Sequence, residues 1–354
     1  MKLNTKRLLV TSLVPEEMCS GLPVSEASTH FCWTMIKGGC FDKVAGLVHT
    51  TIPRRLALEG DYDAVTFIQT RFFRHKSAGR LLNNLIDSLK TVKEAKGFDS
   101  VWFYNLEWVQ VLSYLIMKVM GKKLYVIVAD FTPPVRRFSF ASFVERLFLR
   151  SRGLITLSSR TTFRHPNQIS IAGIISNETL ERRCTTPVPV RHKFLFSGGL
   201  EAIHGIDLAI AAFKEIPEAS LVITGKCLKQ DISDAPNICF AGYLSQEDYD
   251  RLFREISCCV CFRDPSFPEN LNNFPSKIIE YLSYKKQVIS TIRYPELQGL
   301  KYVYAHYDLE SVKDAIRQVM MSEPEGYDQT GTLSGLFSVD RWTKALSDIE
   351  DRSH

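Results

Sequence analysis

The stretch FPENLNNFPSKIIEYLSYKKQVIST, residues 267–291, decides the fold that the sequence predicts. A polar segment leads to Pro275 and Ser276, where we expect a helix to begin because proline suits the first helical turn. This helix carries an apolar stripe at helical spacing, formed by Ile278, Ile279 and Leu282. The β-branched residues from Val288 onward predict a short strand. The stretch therefore indicates one helix–strand unit of an α/β fold.

Lys277 and Glu280 lie on a different face of this helix, since residues three apart are neighbours. The free N–H groups of a first helical turn attract phosphate, and Lys277 adds positive charge there. Glu280, one turn deeper, can accept hydrogen bonds from ribose hydroxyls. Polar side chains at the same helix start add candidate contacts to a nucleotide: Asn272, Asn273 and Ser276. The alternative is an ordinary surface helix with a weak Lys–Glu ion pair.

The run FPSKIIEYLSYKKQVIST resembles the donor-nucleotide segment of family-4 GT-B glycosyltransferases, especially the bacterial polysaccharide group with an SFPSK-x-x-EY segment. Glu280 matches the second glutamate of that family's E-x7-E element, but Asn272 stands where the first is expected. The resemblance continues over residues 193–305 and is vague over the first half of the chain. It implies an α/β GT-B fold, with two Rossmann-like, doubly wound parallel-sheet domains facing a cleft.

A second segment, FLFSGGL at residues 194–200, predicts a strand and a Gly-rich loop before another helix. It resembles the family's G-[RG]-L-x-x-x-K-G turn, where backbone amides and cations meet the leaving diphosphate. Gly199 and His204 stand where the family usually has Arg and Lys. This departure either weakens diphosphate binding or leaves the work to other cations, such as Lys277 or Arg263. The resemblance places donor contacts at Gly198, Gly199 and His204.

The composition sets limits on the class of protein. With 354 residues, 45% of them hydrophobic, the chain can bury two cores of ordinary size. The sequence contains no run of eighteen apolar residues, so we expect no membrane span. The start MKLNTKRLLVTSLVPEE predicts a first strand rather than a signal peptide. The nine cysteines form no regular framework, which favours a reducing cytosol. Cys258, Cys259 and Cys261 lack paired histidines nearby, so we expect no zinc site there.

The charge is distributed unevenly along the chain. Residues 1–175 carry 24 Lys and Arg against 13 Asp and Glu, whereas the remainder carries 20 against 26. This division suggests two domains with different partners. A basic half can bind nucleic acid, anionic lipid or an acidic substrate, and because no nucleic-acid motif accompanies it, lipid is the preferred partner.

Residues 135–152, VRRFSFASFVERLFLRSR, combine basic and aromatic side chains. They suggest an apolar face flanked by cations, made of Phe140, Phe143, Leu147, Arg136, Arg137, Arg146 and Arg150. This pattern suits a helix lying on an anionic membrane surface. It equally suits a core-packing helix with solvated arginines. The basic charge of the whole half favours the membrane.

Strands alternate with helices along the first half, which predicts a parallel, doubly wound sheet. The clearest predicted strands are residues 7–14, 64–69, 100–105 and 123–130. After the first strand, a loop with Gly21 could border an acceptor cleft, and His30 in the helix that follows could be catalytic. The favoured alternatives are an ordinary strand–helix connection for the loop and a merely polar role for His30. Asp61-Tyr62-Asp63 resembles a metal-binding D-x-D motif but precedes its strand, so we expect no cation site there.

Asp130 ends a predicted strand, at the sheet edge where ligands gather in open α/β sheets. Related polysaccharide enzymes often carry an acidic residue here. Asp130 is therefore a candidate for positioning or deprotonating the acceptor hydroxyl, and the alternative is a turn-forming Asp before Thr132-Pro133-Pro134.

The predicted domains are an acceptor-side domain at 1–184, a Pro-rich linker at 185–192 and a donor domain at 193–335. Residues 336–354 predict a terminal helix that returns to the first domain.

The resemblance thus implies a retaining hexosyltransferase that needs no metal or other cofactor. It would move a sugar from a UDP- or GDP-type donor to a lipid-linked saccharide at the cytoplasmic face of the membrane, in synthesis of bacterial surface polysaccharide such as lipopolysaccharide or capsule. Glu280 would bind ribose, while Lys277 and Arg263 would hold phosphate. Two alternatives stay open: a non-catalytic partner subunit, suggested by the missing Arg/Lys pair and by Asn272, and a sugar-nucleotide epimerase of the same fold.

Overall fold

The structure, a computed structural model, describes residues 5–22, 24–48, 52, 64–70, 78–129, 131–132, 134, 139–183, 192–225, 235–322 and 327–353. The chain divides into two compact units, one of Met1–Ile174 with Val339–His354 and one of Ile175–Ser338. Within the described ranges, every helix is too short or too polar to cross a membrane.

The first unit is built on a seven-stranded parallel sheet. In chain order its strands are β1 (Arg7–Ser12), β2 (Lys43–Leu47), β3 (Val65–Ile68), β4 (Ser100–Tyr104), β5 (Lys123–Val128), β6 (Gly153–Thr156) and β7 (Gln168–Ser170). Their order across the sheet is β3-β2-β1-β4-β5-β6-β7. The chain winds outward in one direction from β1 and then in the other from β4, so the predicted doubly wound parallel sheet is confirmed. The sequence analysis missed β2.

Among the residues described in this unit, four helices connect the strands: α1 (Glu26–Lys37), α2 (Ala78–Glu94), α3 (Trp108–Val119) and α4 (Phe140–Phe148). The last three contribute to one apolar core against the sheet, through residues such as Val92, Met117 and Phe148. The hydroxyl of Tyr114 on α3 donates to the carbonyl of Leu147 on α4, 3.1 Å away. Helices α2, α3 and α4 therefore form one layer on one face of the sheet.

The second unit repeats the plan with six parallel strands. They are β8 (Lys193–Ser197), β9 (Ser220–Thr224), β10 (Ile238–Gly242), β11 (Cys258–Cys261), β12 (Gln287–Ser290) and β13 (Val303–Tyr304), in the order β10-β9-β8-β11-β12-β13. The helices are α5 (Asn177–Arg182), α6 (Ile206–Lys214), α7 (Gln246–Glu255), α8 (Glu269–Asn272), α9 (Ser276–Ser283), α10 (Leu309–Met321) and α11 (Thr330–Phe337). The helix and strand predicted within residues 267–291 are α9 and β12.

The cysteines of β11 are core residues. Cys258, Cys259 and Cys261 are buried in the sheet as free thiols, and burial raises their pKa. They therefore contribute packing rather than reactivity.

The chain ends in α12 (Val339–Asp351), which belongs to the first unit. Its buried Glu350 accepts from Arg7 Nη2 at 2.8 Å, from Ser100 Oγ at 2.6 Å and from Trp102 Nε1 at 2.9 Å. A buried carboxylate costs little when a cation and two neutral donors surround it. These contacts fix α12 to β1 and β4.

Several predicted features fall on residues that the description leaves out. The Asp61-Tyr62-Asp63 motif, Asp130, Arg136, Arg137 and most of the predicted linker lie outside the described residues. The division into units falls between Ile174 and Ile175. The assignment of 185–192 as a linker stays a prediction.

Two glycines of the second unit provide a test of backbone constraint. Gly205 (φ 74°) begins α6, and a Cβ there would lie 1.4 Å from the carbonyl oxygen of Phe262. Gly242 has nearly the same φ, 71°, but a Cβ there would have nothing within 4 Å. Gly242→Ala should cost only the left-handed strain, about 1–2 kcal/mol. Gly205→Ala should cost at least about 2 kcal/mol more, because backbone must move. Urea unfolding measures both losses, and equal losses would contradict the close approach.

Candidate functional site

Helix α9 brings together the two charged residues that the sequence analysis singled out. It begins at Ser276 after Pro275, with no side chain capping its first turn. Its buried face packs Ile278, Ile279 and Leu282 into the unit. On another face, Lys277 Nζ lies 2.6 Å from Glu280 Oε2. The side chain of Glu280 is 19% exposed and that of Lys277 38%, so the pair is shielded but reachable from solvent.

The hydroxyl of Tyr249 on α7 joins this pair to the carboxyl end of β8. It lies 3.3 Å from Glu280 Oε2 and 2.8 Å from the hydroxyl of Ser197. Lys277 Nζ also donates to the Tyr249 hydroxyl oxygen at 3.3 Å and lies 5.1 Å from the centre of the Tyr249 ring. The hydroxyl of Tyr281, on α9, bonds the backbone N–H and C=O of Ser197. Side chains of α7 and α9 thus converge where β8 gives way to the Gly-rich loop.

Arg183, just after α5, supplies a second cation to Glu280. Its Nη2 lies 3.7 Å from Glu280 Oε1, and its Nη1 donates to Ser283 Oγ at 2.8 Å. The guanidinium lies 4.6 Å from the ring centre of Tyr284. Sequence analysis missed Arg183 and Tyr249, which are 97 and 31 residues away from Glu280 along the chain. No local pattern connects residues that only the fold brings together.

The charges around Glu280 decide its protonation. Burial raises the pKa of this carboxyl, but the charges of Lys277 and Arg183 and the hydrogen bonds from Lys277 and Tyr249 outweigh burial and leave the pKa below its ordinary value. Burial, reinforced by Glu280, raises the pKa of Tyr249 well above its ordinary value. At neutral pH the cluster is therefore an ionised carboxylate beside a neutral phenol, with cations on both sides.

The Gly-rich loop after β8 has glycine where the family that it resembles has an arginine, and a side chain at Gly199 would displace those of Glu201 and His204. A Cβ on Gly199 would lie 2.4 Å from Glu201 Oε2 and 2.6 Å from His204 Cδ2. Gly198 has φ 135°, and its carbonyl oxygen would lie 2.1 Å from a Cβ on Gly225. The loop brings backbone, rather than cationic side chains, to the strand edge.

His204 does not replace the expected lysine as a strong cation. Its Nε2 lies 3.3 Å from Glu201 Oε2, yet burial and nearby Arg263 lower its pKa. Arg263, after β11, donates from Nη1 to Asn270 Oδ1 at 3.0 Å, and the amide of Asn270 bonds the backbone carbonyls of Ile203 and Asp264. Arg263 is thus positioned beside the loop that carries His204.

The remaining predicted residues lie near the start of α9 or apart from it. Asn272 is buried at the end of α8, and the N–H of Asn273 donates to the carbonyl of Glu269. His30 in the first unit pairs with Glu16 at 2.9 Å, and contacts with Cys19 and Glu16 raise its pKa to about 9. A protonated His30 is no general base at neutral pH, which agrees with the favoured polar role.

Metal ligands are not gathered in the parts of the chain that the structure describes. There, no group of three or more His, Cys, Asp or Glu side chains is arranged to hold an ion. The cations Lys277, Arg183 and Arg263 are the positive charges that the described site offers to a phosphate.

Comparison with known proteins agrees with this architecture. Residues 191–322, which include the whole α9 cluster except Arg183, match the family model of glycosyl transferases group 1. No curated protein sequence matches the chain at a significant level.

Three solved structures show the fold. A sucrose-phosphate synthase from Thermosynechococcus elongatus is 13% identical, with TM-score 0.69 and 98% of both chains covered. A trehalose-6-phosphate synthase studied for glycosyltransfer with retention is 9% identical, with TM-score 0.66 and coverage of 98% of this chain and 99% of that one. A trehalose-6-phosphate protein from E. coli bound with UDP-2-fluoro glucose is 10% identical, with TM-score 0.66 and coverage of 97% and 99%. The chain has the two-domain, Rossmann-like GT-B fold, and its second unit resembles glycosyl transferases group 1.

Proposed function

We propose that the protein is a glycosyltransferase that moves a hexose from a nucleotide-diphosphate sugar to a lipid-linked saccharide. The observation that carries this proposal is the group 1 match over residues 191–322, because this segment holds the Lys277–Glu280 pair, Tyr249 and the β8 loop together. The UDP-2-fluoro glucose bound by one structural neighbour supports a UDP-type donor, and a GDP-type donor stays open.

The described geometry suggests how a donor would be held. Glu280 is ionised and partly exposed, so it can accept from ribose hydroxyls. Lys277, now 2.6 Å from that carboxylate, would turn to the phosphates when ribose takes its place. The first amides of α9 and the backbone around Gly198 would add neutral donors. Donor binding would thus replace the Lys277–Glu280 ion pair by a ribose contact at Glu280 and a phosphate contact at Lys277.

Chemistry at such a site is chiefly electrostatic. Departure of the nucleoside diphosphate builds negative charge on phosphate oxygens, and fixed cations and amides stabilise it most in a site that excludes water. Lys277 and Arg263 could supply this stabilisation without a metal ion. Retention has the support of the neighbour studied for that outcome. Asp130 remains the proposed acceptor-side residue.

The acceptor side of the proposal rests on an unusual helix in the first unit. Helix α2 turns its leucines outward: Leu81, Leu82, Leu85 and Leu89 are between 41% and 66% exposed. Its uncharged polar residues turn inward, with Asn83, Asn84, Ser88 and Thr91 buried. A helix packed only for a soluble surface would show the opposite pattern.

Neighbouring helices extend this apolar surface. Exposed apolar side chains continue on α3 with Trp108, Leu112 and Val119, and on α4 with Phe140 and Phe143. Exposed cations accompany them, among them Lys90, Lys93, Lys118 and Arg150. Leucines and aromatics among cations suit an anionic membrane surface. The predicted membrane face of residues 135–152 needs one correction, since Leu147 is buried in the core rather than exposed.

The principal alternative is a non-catalytic partner subunit of the same fold. It is favoured by the loop around Gly199, which carries no arginine or lysine. A soluble sugar-nucleotide epimerase is a weaker alternative, because it would have no use for the outward leucines of α2. Nucleotide binding with no sugar transfer to any acceptor would favour the partner subunit.

Lys277→Ala and Glu280→Ala should impair the enzyme in different ways. Glu280 would contact ribose equally before and during bond cleavage, so its loss should raise KM for the donor. A charged hydrogen bond contributes about 1.5–3 kcal/mol, which corresponds to about a tenfold to hundredfold change. Lys277 would face charge that grows in the transition state, so its loss should lower kcat by a similar factor. Steady-state kinetics with varied donor measures both.

Glu247→Ala is the matched control, because Glu247 is an exposed carboxylate on α7 that pairs only with Arg251 among the described contacts. It should leave kcat and KM unchanged. If both α9 variants keep wild-type kinetics, the donor site lies elsewhere. Circular dichroism should show all three variants folded.

Leu85→Ser/Leu89→Ser should weaken membrane docking without unfolding the first unit, since both leucines are about half exposed. Two half-buried leucines transferred to lipid contribute at least about 1.4 kcal/mol, so binding to vesicles with phosphatidylglycerol should fall about tenfold or more. Co-sedimentation measures this. Met321→Ser, at an exposed apolar residue of the second unit, is the control. Equal binding of the double variant and wild type, or equal wild-type binding to neutral vesicles, would contradict an anionic lipid face.

A further inference from the structure

A concave pocket lies on the second unit, between the C-terminal part of α7, the residues just after α9 and the end of α5. Its lining residues include Arg182, Arg183, Phe253, Arg254, Tyr284 and Lys286. Lys286 immediately precedes β12, so the pocket is at the amino ends of the strands. Ser197 and the proposed donor loop are at the carboxyl end of β8, the opposite edge of the sheet. The pocket therefore opens away from the proposed donor loop, although it shares Arg183 with the α9 cluster.

Lys286 is the unusual residue of this pocket. It is only 5% exposed, and the described residues give its ammonium neither a carboxylate partner nor a hydrogen-bond acceptor. Burial lowers its pKa. Buried lysines normally pair with an acid, because an isolated buried charge is costly.

Two other cations of the pocket also lack counter-charges, and a third has only a distant one. Arg182 and Arg254 are exposed and form no ion pair with any described residue. Arg183 reaches Glu280 only at 3.7 Å, and its buried Nε has no acceptor. The one carboxylate of the lining, Asp250, already accepts from the Tyr284 hydroxyl and from Gln246 Nε2. Four cations thus surround a space with a single acid, which is hydrogen-bonded to neutral donors.

We propose that this pocket binds a phosphate group, either free or carried by a small molecule or a lipid headgroup. Guanidinium groups match phosphate oxygens with paired N–H donors, and a lysine ammonium adds a compact charge behind them. The parallel rings of Phe253 and Tyr284, with centroids 3.9 Å apart, form a firm apolar wall beside these cations. A dianion would satisfy Lys286 and Arg183 Nε together. The proposal does not depend on the proposed glycosyltransferase activity.

Titration with inorganic phosphate at constant ionic strength tests the pocket, with calorimetry and the unfolding temperature as readouts. The Lys277→Ala variant serves as the parent protein, so that phosphate binding at the α9 cluster contributes less. In this parent, phosphate should bind and raise the unfolding temperature. Adding Lys286→Met or Arg254→Gln should weaken binding about tenfold or more, because each removes a charged hydrogen bond. Lys286→Met should remain well folded, since a methionine suits a buried position.

Two control variants match these changes in charge. Arg251→Gln removes an arginine from the same helix α7, but Arg251 pairs with Glu247 and Asp248 and does not line the pocket. Lys214→Met removes an exposed lysine of α6. Both should bind phosphate as the parent does. If Lys286→Met and Arg254→Gln bind as well as these controls, the pocket is not a phosphate site and the proposal is overturned.

Two further arms distinguish the phosphate carrier: a soluble sugar phosphate, and vesicles containing phosphatidic acid compared with phosphatidylcholine alone. Binding in either arm that requires both Lys286 and Arg254 supports the proposal and identifies the carrier. Failure of inorganic phosphate and of both arms to bind at millimolar phosphate overturns it.

Discussion

A largely buried carboxylate and the cations around it are the interaction on which the candidate site depends. Glu280 would be costly to ionise inside the second unit without Lys277, Arg183 and the Tyr249 hydroxyl. Since these groups hold its folded pKa below the ordinary value, its ionisation stabilises the fold at neutral pH. That contribution is lost as the pH falls through the folded pKa. The same arrangement keeps the Glu280 carboxylate ionised, so that it can accept hydrogen bonds. In the proposed complex, a donor nucleotide would take over these hydrogen bonds.

The parallel sheet explains why these groups meet. Residues at the carboxyl ends of neighbouring strands lie along one edge, so Ser197 after β8 and Arg263 after β11 come close to the helices that follow other strands. Gly205 and Gly225 allow backbone to approach where a Cβ would collide, and Gly198 adopts a backbone conformation that favours glycine. The site therefore relies on backbone amides, helix starts and a few cations rather than on a dense set of charged side chains.

The sequence predicted the parts of this site that are local. Helix α9, the spacing of Lys277 and Glu280 and the alternation of strands and helices are all encoded within short windows, where periodicity and turn chemistry act directly. Arg183 and Tyr249 could not be predicted this way, because only tertiary packing places them beside Glu280. The same limit applies to α2, which its composition marks as basic but whose leucines the fold turns outward.

The basic first unit and the acidic second unit thus differ in the surfaces they present. The first shows leucines and aromatics among cations, and the second holds the ionised carboxylate of α9. This contrast underlies the proposal that the first unit takes an acceptor carried on lipid and the second a nucleotide-sugar donor. It also explains why the resemblance to group 1 glycosyl transferases is concentrated in the second unit, where the nucleotide chemistry would be shared.

The central claim, that Glu280 binds the ribose of a nucleoside diphosphate, has a direct test in calorimetry. The affinities of UDP and its 2′,3′-dideoxy analogue would be compared for wild type and Glu280→Ala, and the GDP pair would be treated in the same way. The account predicts that removing the ribose hydroxyls weakens binding to wild type about tenfold or more, but leaves binding to Glu280→Ala unchanged. Equal losses in both proteins, or no binding of either nucleotide to wild type at millimolar concentration, would contradict it.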